Sequence, residues 1–197
     1  MGKITVEKER VINASPEKIF SVLSNYKEQR PRMLTPNFID YKVEKGGKGS
    51  GTVISYLLRA ANRERAYRMS VDEAVKGRVL TERDNNSSLV TTWALSPVSG
   101  GDKTRVSVAS EWEGGKGVGG FFERTFAPLG LRRIYGSMLT SLIDILGVSG
   151  EEVTAVQGKE YRPTENLRGL ILILSLVVGF AFGLNYIQKA NREKAQR

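Results

Sequence analysis

Six segments typical of β-strands follow one another between residues 38 and 113, each separated from the next by a short polar or glycine-rich stretch. In the third, Tyr67, Met69 and Val71 alternate with polar residues, as expected for a strand with one buried face. Consecutive strands joined by short turns form antiparallel meanders. The predicted strands are Phe38–Lys45, Thr52–Ala60, Arg65–Val75, Arg78–Asp84, Leu89–Leu95 and Thr104–Glu113.

Helical patterns lie on both sides of this meander. After a predicted strand at Ile4–Val11, Ser15 is a suitable N-cap and Pro16 a suitable first residue for a helix, and room remains for one short second helix. Apolar residues then recur at helical spacing over Phe121–Leu146, which predicts a long amphipathic helix that Pro128 is expected to kink or break early. The order of elements predicts an α+β domain.

The composition excludes several kinds of chemistry. The chain has no cysteine and no histidine, so disulfides, thiolate or histidine metal sites, histidine-ligated haem and a Ser-His-Asp triad are impossible. We predict no metal, no cofactor and no set of catalytic residues. The net charge of +9 suits contact with anionic lipid, although an ordinary solvated surface explains it as well. Because basic runs with interleaved aromatic residues are absent, nucleic acid is an unlikely partner.

A run of twenty residues without charge, Gly169–Gln188, lies near the C-terminus. At 1.5 Å per residue, a helix of this length spans about 30 Å, the thickness of the hydrocarbon core of a bilayer. A buried helix of a soluble domain would carry a polar face, which this run lacks. We predict a folded domain at 1–147, a linker at 148–166, a transmembrane helix at 167–189 and a short basic tail at 190–197. This single-pass C-terminal anchor would leave the domain on the cytoplasmic or stromal-type side.

Three segments resemble a known superfamily. Val11–Tyr26, Lys48–Thr52 and Phe121–Arg133, in this order, are similar to START-like (SRPBCC) proteins, and within them to the polyketide cyclase/dehydrase and lipid-transport group. The resemblance covers residues 3 to about 147. It implies the helix-grip fold, in which a curved antiparallel sheet wraps around a long C-terminal helix and encloses an apolar cavity. Such cavities hold lipids, quinones, sterols, polyketides or pigments, so the resemblance leaves the ligand open.

Large aromatic and methionine side chains are candidates for lining this cavity, because they suit a loosely shaped hydrophobic ligand. A filled core is the alternative use of each one. The candidates are Tyr56, Tyr67, Met69, Trp93, Trp112, Phe122, Phe126 and Met138. Arg59, Glu82 and Glu111 lie in predicted strands; unless they face solvent, an inward Arg–Glu pair would orient the polar group of a ligand.

Two glycine-rich stretches, 46–51 and 114–120, lack the residues of a phosphate-binding loop and are predicted to be turns. The second precedes the long helix and is expected to form a mobile entrance to the cavity. Basic residues near this entrance are predicted to contact anionic lipid unless they merely solvate the helix. They are Lys116, Arg124, Arg132 and Arg133.

The function that these features favour is a membrane-anchored binder or carrier of a hydrophobic small molecule, such as a lipid, quinone, isoprenoid or pigment. One alternative is an accessory or scaffold subunit of a membrane-protein complex. The other is an enzyme acting on a polyketide-like or isoprenoid-like substrate. An open cavity favours the first, a collapsed cavity with an apolar outer patch the second, and a buried Asp, Glu or Tyr near a bound carbonyl the third.

Overall fold

A computed structural model describes residues 2–60, 63–115 and 117–153, and the side chains of these residues except 63, 99 and 117–126. The predicted transmembrane helix, the basic tail and Lys116 lie outside the described residues. Among those described, no helix is both long and apolar enough to cross a membrane. The elements in chain order are strand β1 (Lys3–Ile12), helices α1 (Pro16–Leu23) and α2 (Arg30–Met33), strands β2 (Phe38–Lys45), β3 (Val53–Ala60), β4 (Arg63–Val75), β5 (Val79–Asp84), β6 (Val90–Val98) and β7 (Lys103–Glu113), helix α3 (Gly117–Leu146) and strand β8 (Gly150–Glu152).

The strands of the described residues form one antiparallel sheet in the order β2-β3-β4-β5-β6-β7-β1-β8. Strands β2 to β7 pair with their sequence neighbours, so the predicted six-stranded meander is confirmed, and β2 has the predicted bounds. Strand β1 returns to pair with β7, with Lys3 opposite Glu113 and Ile12 opposite Thr104. The sheet with its C-terminal helix confirms the α+β helix-grip class.

The first two helices follow local sequence signals. In α1, the Ser15 side chain accepts a hydrogen bond from the Lys18 backbone N–H at 3.4 Å, and Pro16 occupies the first turn. The same helix buries Ile19 and Leu23 completely. Helix α2 is the short second helix that the sequence predicts, and it buries Arg30, a charged residue whose partner lies in the sheet.

Helix α3 differs from its prediction at its first half. It begins at Gly117, so the second glycine-rich stretch is helical over residues 117–120 rather than a turn throughout. The helix also continues through Pro128 instead of ending there. Its second half is held by burial of Met138, Leu139 and Leu142, which are at most 2% exposed. Packing of an apolar face stabilises helices more than local propensity does, and this outweighs the cost of the proline.

The segment after α3 is not entirely a linker. Strand β8 pairs with Arg10–Ile12 of β1, and Arg10 donates to Glu152 at 2.9 Å. Gly150 permits the close approach of β8 to β1 and to helix α3. A Cβ at this position would clash with the Ile143 side chain and lie 3.3 Å from the Val11 carbonyl oxygen. The compact unit therefore extends to Val153 rather than ending at residue 147.

The register defines two ends of the sheet. Strand β1 has 10 residues and is about 30 Å long. Its start lies beside the end of β7, at the same end as the β5–β6 turn and the start of β4. Its other end carries β8 and leads into α1. A cavity in the domain reaches the surface at the first of these ends.

Candidate functional site

A cavity of about 110 Å³ is bounded by helix α2, the meander strands and helix α3. Its lining is rich in aromatic rings and also contains charged and hydroxyl groups. The aromatic lining residues are Phe38, Tyr41, Tyr56, Tyr67, Trp93, Trp112 and Tyr135. The aliphatic ones are Leu34, Ile54, Leu58, Leu89, Leu131 and Met138, and the polar ones are Arg30, Arg65, Glu82, Ser87, Ser88, Thr91 and Glu113. The apolar cavity implied by the fold is therefore present.

Most of the predicted lining residues that can be located do line the cavity. They are Tyr56, Tyr67, Trp93, Trp112 and Met138. Met69 does not line it: this side chain is fully buried in the core, two residues beyond Tyr67 on β4. The side chains of Phe122 and Phe126 lie outside the described part of the chain. Contact of any of these residues with a ligand stays a prediction.

Three rings from neighbouring strands form one aromatic wall. Tyr56 of β3 lies opposite Tyr67 of β4 in the register, with ring centroids 5.6 Å apart. Phe38 of β2 meets Tyr56 edge-to-face at 5.0 Å. Such contacts between rings stabilise the wall beyond simple burial.

A buried ion pair lies in another part of the cavity lining. The Arg30 Nη2 atom donates to Glu82 Oε1 at 2.5 Å, and the side chains are 3% and 7% exposed. The Tyr26 hydroxyl donates to the same carboxylate oxygen at 2.8 Å. The guanidinium also stacks on the Trp93 ring, with its central carbon 4.2 Å from the ring centroid. Helix α2 and strand β5 thus hold one compensated pair of charges in the lining of the cavity.

Electrostatics keep the groups of this wall in defined protonation states. Burial lowers the pKa of Arg30, but the neighbouring Glu82 carboxylate and tyrosine phenols outweigh that effect and leave the pKa raised. Burial, reinforced by the Glu82 charge, raises the pKa of Tyr26 and of Tyr56 well above the ordinary value for tyrosine. Burial likewise raises the pKa of Tyr41. The phenols therefore stay neutral at physiological pH.

Two buried N–H donors in this region lack a partner among the described residues. One is Arg30 Nη1 and the other is Trp93 Nε1. Buried donors are rarely left unpaired in folded proteins, because losing water without gaining a partner costs free energy. Both residues line the cavity, so the two unpaired donors belong to side chains of its wall.

A chain of hydroxyl groups links the sheet to helix α3 beside the cavity. Thr91 and Ser110 share a hydrogen bond at 2.6 Å, and Ser110 shares another with the Tyr135 hydroxyl. Burial, which hydrogen bonds to Ser110 and Thr91 oppose only in part, raises the pKa of Tyr135 to about 12. This network satisfies its own polar groups and fixes the Tyr135 ring against the cavity.

The cavity reaches the surface at one end of the sheet. Among its lining residues, Arg65, Ser88 and Glu113 are exposed; we call these three the mouth. They come from the start of β4, the β5–β6 turn and the end of β7, which lie at the same end. The predicted entrance at the second glycine-rich stretch directly follows Glu113 in sequence, but its movement remains untested.

The structure contains an inward Arg–Glu pair, but its arginine is not the one that the sequence analysis considered. Glu82 does point inward, whereas Arg59 is exposed and pairs with Glu64, and Glu111 pairs with Lys3. Sequence analysis missed the real cation, Arg30, because it stands in a polar stretch beside prolines. A signal was available: Leu80 and Glu82 share a strand face, so an inward Glu82 required a cation from elsewhere.

The predicted membrane-facing residues can be located in part. Arg132 and Arg133 are exposed on helix α3. Lys116 and the side chain of Arg124 lie outside the described residues. The described residues hold no group of three or more acidic, histidine or cysteine side chains that could bind a metal ion.

Comparisons with known proteins agree with this architecture. The family model for polyketide cyclase/dehydrase and lipid transport matches residues 3–147. The NMR solution structure of the KanY protein is 38% identical to the chain, covers 75% of it and 99% of its own length, and has a TM-score of 0.65.

More distant structures share the fold alone. The Zhui aromatase/cyclase from Streptomyces sp. R1128 is 12% identical and covers 74% of this chain and 94% of its own, with a TM-score of 0.60. A START superfamily protein from Mycobacterium smegmatis is 16% identical and covers 74% and 98%, with a TM-score of 0.56. The comparison with curated proteins finds no match. With the family model matching most of its length, the chain belongs to the polyketide cyclase/dehydrase and lipid transport family.

Proposed function

We propose that this domain binds, and by binding carries, a hydrophobic small molecule in its aromatic-walled cavity. The observation that carries the proposal is the cavity itself, whose aromatic and aliphatic lining reaches solvent at the mouth. Pockets of this kind, mostly apolar with a few placed polar groups, are typical of small-molecule sites. A lipid, quinone, isoprenoid or pigment would meet these requirements.

The size of the cavity limits how a ligand is held. A cavity of roughly 150 Å³ is enough for one benzene ring, and the space here is about 110 Å³. A larger ligand would therefore extend through the mouth or displace side chains. Leu131 and Met138 suit such a displacement, because both lie on the single face of α3 that borders the cavity, and Met is readily repacked.

An enzymatic role is the second candidate, and one observation favours it. Glu82 is a buried carboxylate that lines the cavity, as a general base would. The Glu82 carboxylate oxygen Oε1 already accepts hydrogen bonds from both Arg30 and Tyr26, so it is engaged as the partner of a buried ion pair. This arrangement favours binding over proton transfer. Turnover of a ketone or polyketide substrate that ceases in Glu82→Gln would instead establish the enzyme.

A scaffold role is less well supported. Among the described side chains, Leu129 is the one large apolar residue that is exposed, at 58%. A stable interface with a protein partner needs a larger apolar centre. The described surface therefore offers little for such a partner, although a contact made by the C-terminal segment would remain compatible with the carrier.

The proposal includes a tether at residues 167–189, supported by the uncharged run Gly169–Gln188. The domain would then remain on the cytoplasmic or stromal-type side. We expect the full chain to stay in the membrane fraction after an alkaline carbonate wash. Replacing Leu174 and Val177 by Arg should release it, because charges near the centre of a bilayer are costly. Arg168→Gln, outside the run, is the control, and release of the unaltered chain would contradict the tether.

The test of the carrier uses the full chain and N-phenylnaphthylamine, an uncharged fluorophore that brightens in apolar sites. We expect saturable uptake with energy transfer from tryptophan, because both tryptophans line the cavity. Met138→Glu should abolish uptake, since a carboxylate there must be desolvated or protonated. Ser137→Glu is the matched control, being the neighbouring exposed position with the same new charge. Equal uptake by both variants would argue for a solid core.

A further inference from the structure

The unpaired donors of the cavity wall belong to one patch. Arg30 and Trp93 are 3% and 1% exposed, so neither Arg30 Nη1 nor Trp93 Nε1 has free access to bulk water. The guanidinium carbon lies 4.2 Å from the Trp93 ring centroid. We call these two residues the donor patch. The two side chains that carry the unpaired donors are therefore in contact with each other.

The charge of this patch is already balanced. Glu82 accepts from Arg30 at 2.5 Å, and Tyr26 donates to the same oxygen. A ligand carboxylate would add a second buried negative charge near Glu82 without a second cation to compensate it. A ligand whose polar groups only donate would leave both donors unpaired, and a hydroxyl group, although its oxygen can accept, brings an O–H donor that needs a buried acceptor of its own. A carbonyl oxygen adds no charge and has two lone pairs to accept from them.

We propose that the donor patch of Arg30 and Trp93 binds an uncharged carbonyl oxygen, so that the ligand is a hydrophobic ketone, quinone, ester or amide. This inference rests on the proposed function and names the chemical class of its ligand. The carbonyl points toward the donor patch while the apolar body lies along the aromatic wall around Tyr56 and toward the mouth. Hydrocarbons lack the acceptor, and carboxylates bring the uncompensated charge.

The experiment compares three probes of similar size on the full chain in lipid nanodiscs. Acetophenone carries the carbonyl, α-methylstyrene replaces its oxygen by a methylene group, and benzoate carries a carboxylate. Empty nanodiscs correct for partitioning into lipid. The chain has two tryptophans, Trp93 and Trp112, and both line the cavity. The two indole N–H signals of the isotope-labelled chain therefore report occupancy, and Trp112→Phe assigns them.

We expect acetophenone to bind about tenfold more tightly than α-methylstyrene, as for a hydrogen bond to a buried charged donor. It should move the Trp93 indole N–H signal downfield, and benzoate should bind no better than the hydrocarbon. Trp93→Phe keeps the ring but removes its donor, and should reduce the preference for the ketone. The double variant Arg30→Met/Glu82→Leu removes both members of the charged pair and should also reduce the preference for the ketone. Trp112→Phe changes the cavity lining but leaves the donor patch intact, so it should shift the affinity for all three probes alike and keep the preference for the ketone.

The outcomes separate this inference from the proposed function. Equal binding of the three probes, tighter binding of benzoate, or an unchanged ketone preference in both Trp93→Phe and the double variant would overturn the carbonyl assignment. The cavity would then still be a binding site. If no probe moves either indole signal at any concentration, the proposed function itself fails.

Discussion

Breaking the buried ion pair should be one of the most destabilising changes available in this domain. Arg30 and Glu82 are 3% and 7% exposed, so replacing one of them leaves the other charge buried without its partner. Removing one member of a buried pair typically costs about 3–5 kcal/mol. Glu82→Leu should therefore consume a large part of a stability that is roughly 5–15 kcal/mol for a domain.

Removing both charges should cost far less. In Arg30→Met/Glu82→Leu no charge remains buried, and replacing such pairs by apolar residues is often neutral or stabilising by about 1–4 kcal/mol. The Tyr26 hydroxyl loses its acceptor in this variant, which costs about 1–3 kcal/mol. These terms nearly cancel, so the double variant should be close to the unaltered protein and more stable than Glu82→Leu.

Urea unfolding of the full chain, followed by tryptophan fluorescence, measures these differences. With a slope of about 2 kcal/mol per M, a loss of 3–5 kcal/mol lowers the midpoint by roughly 2 M. Glu64→Gln, which breaks the exposed pair with Arg59, is the control and should cost at most about 1 kcal/mol. The reasoning is refuted if Glu82→Leu shifts the midpoint no more than Glu64→Gln does, or if the double variant is less stable than Glu82→Leu.

Three further predictions follow from single features. Gly150→Ala should destabilise the domain by about 1–3 kcal/mol through its clash with Ile143, whereas Gly130→Ala, with open space around its Cβ, should not; equal thermal midpoints would contradict this. Since burial raises the pKa of Tyr135 to about 12, the stability gained from its neutral form is complete below pH 10 and is lost as the pH rises through 12. Absorbance titration should show several late ionisations, because the pKa values of Tyr26, Tyr41 and Tyr56 are raised as well, and Tyr135→Phe should remove the one near pH 12; ionisation of all tyrosines near pH 10 in the folded protein would disprove it. Replacing exposed Arg132 and Arg133 by Glu should weaken salt-sensitive binding to anionic vesicles by up to about 1 kcal/mol per residue; unchanged binding would remove the predicted lipid contact.

The sequence predicted the elements that carry strong local signals. Strand β2 has the predicted bounds because a glycine-rich turn ends it, and α1 begins after its Ser15 N-cap. Strand β8 escaped prediction because three residues carry no periodicity, and pairing with β1 and the absence of a Cβ at Gly150 hold it. These are tertiary effects that no local pattern contains.

The sequence predicted which kinds of residue line the cavity, but not which polar groups meet inside it. Large aromatic residues in the predicted strands were sound candidates for the cavity lining, because few other positions in a domain can bury side chains of this size. The sequence analysis missed the partner of Glu82 because Arg30 and Glu82 are 52 residues apart in the chain, and their contact depends on where α2 packs. Arg59 was a candidate for an inward position unless it faced solvent, and it does face solvent, beside Glu64.

The central claim is that the cavity, and not the outer surface, holds the hydrophobic ligand. Nuclear Overhauser effects between N-phenylnaphthylamine and side chains of the full chain test this directly. We expect contacts from the bound probe to Trp93, Trp112 and the Met138 methyl group, which line the cavity. Contacts confined to Leu129, the exposed apolar residue on α3, would show surface adhesion and contradict the account.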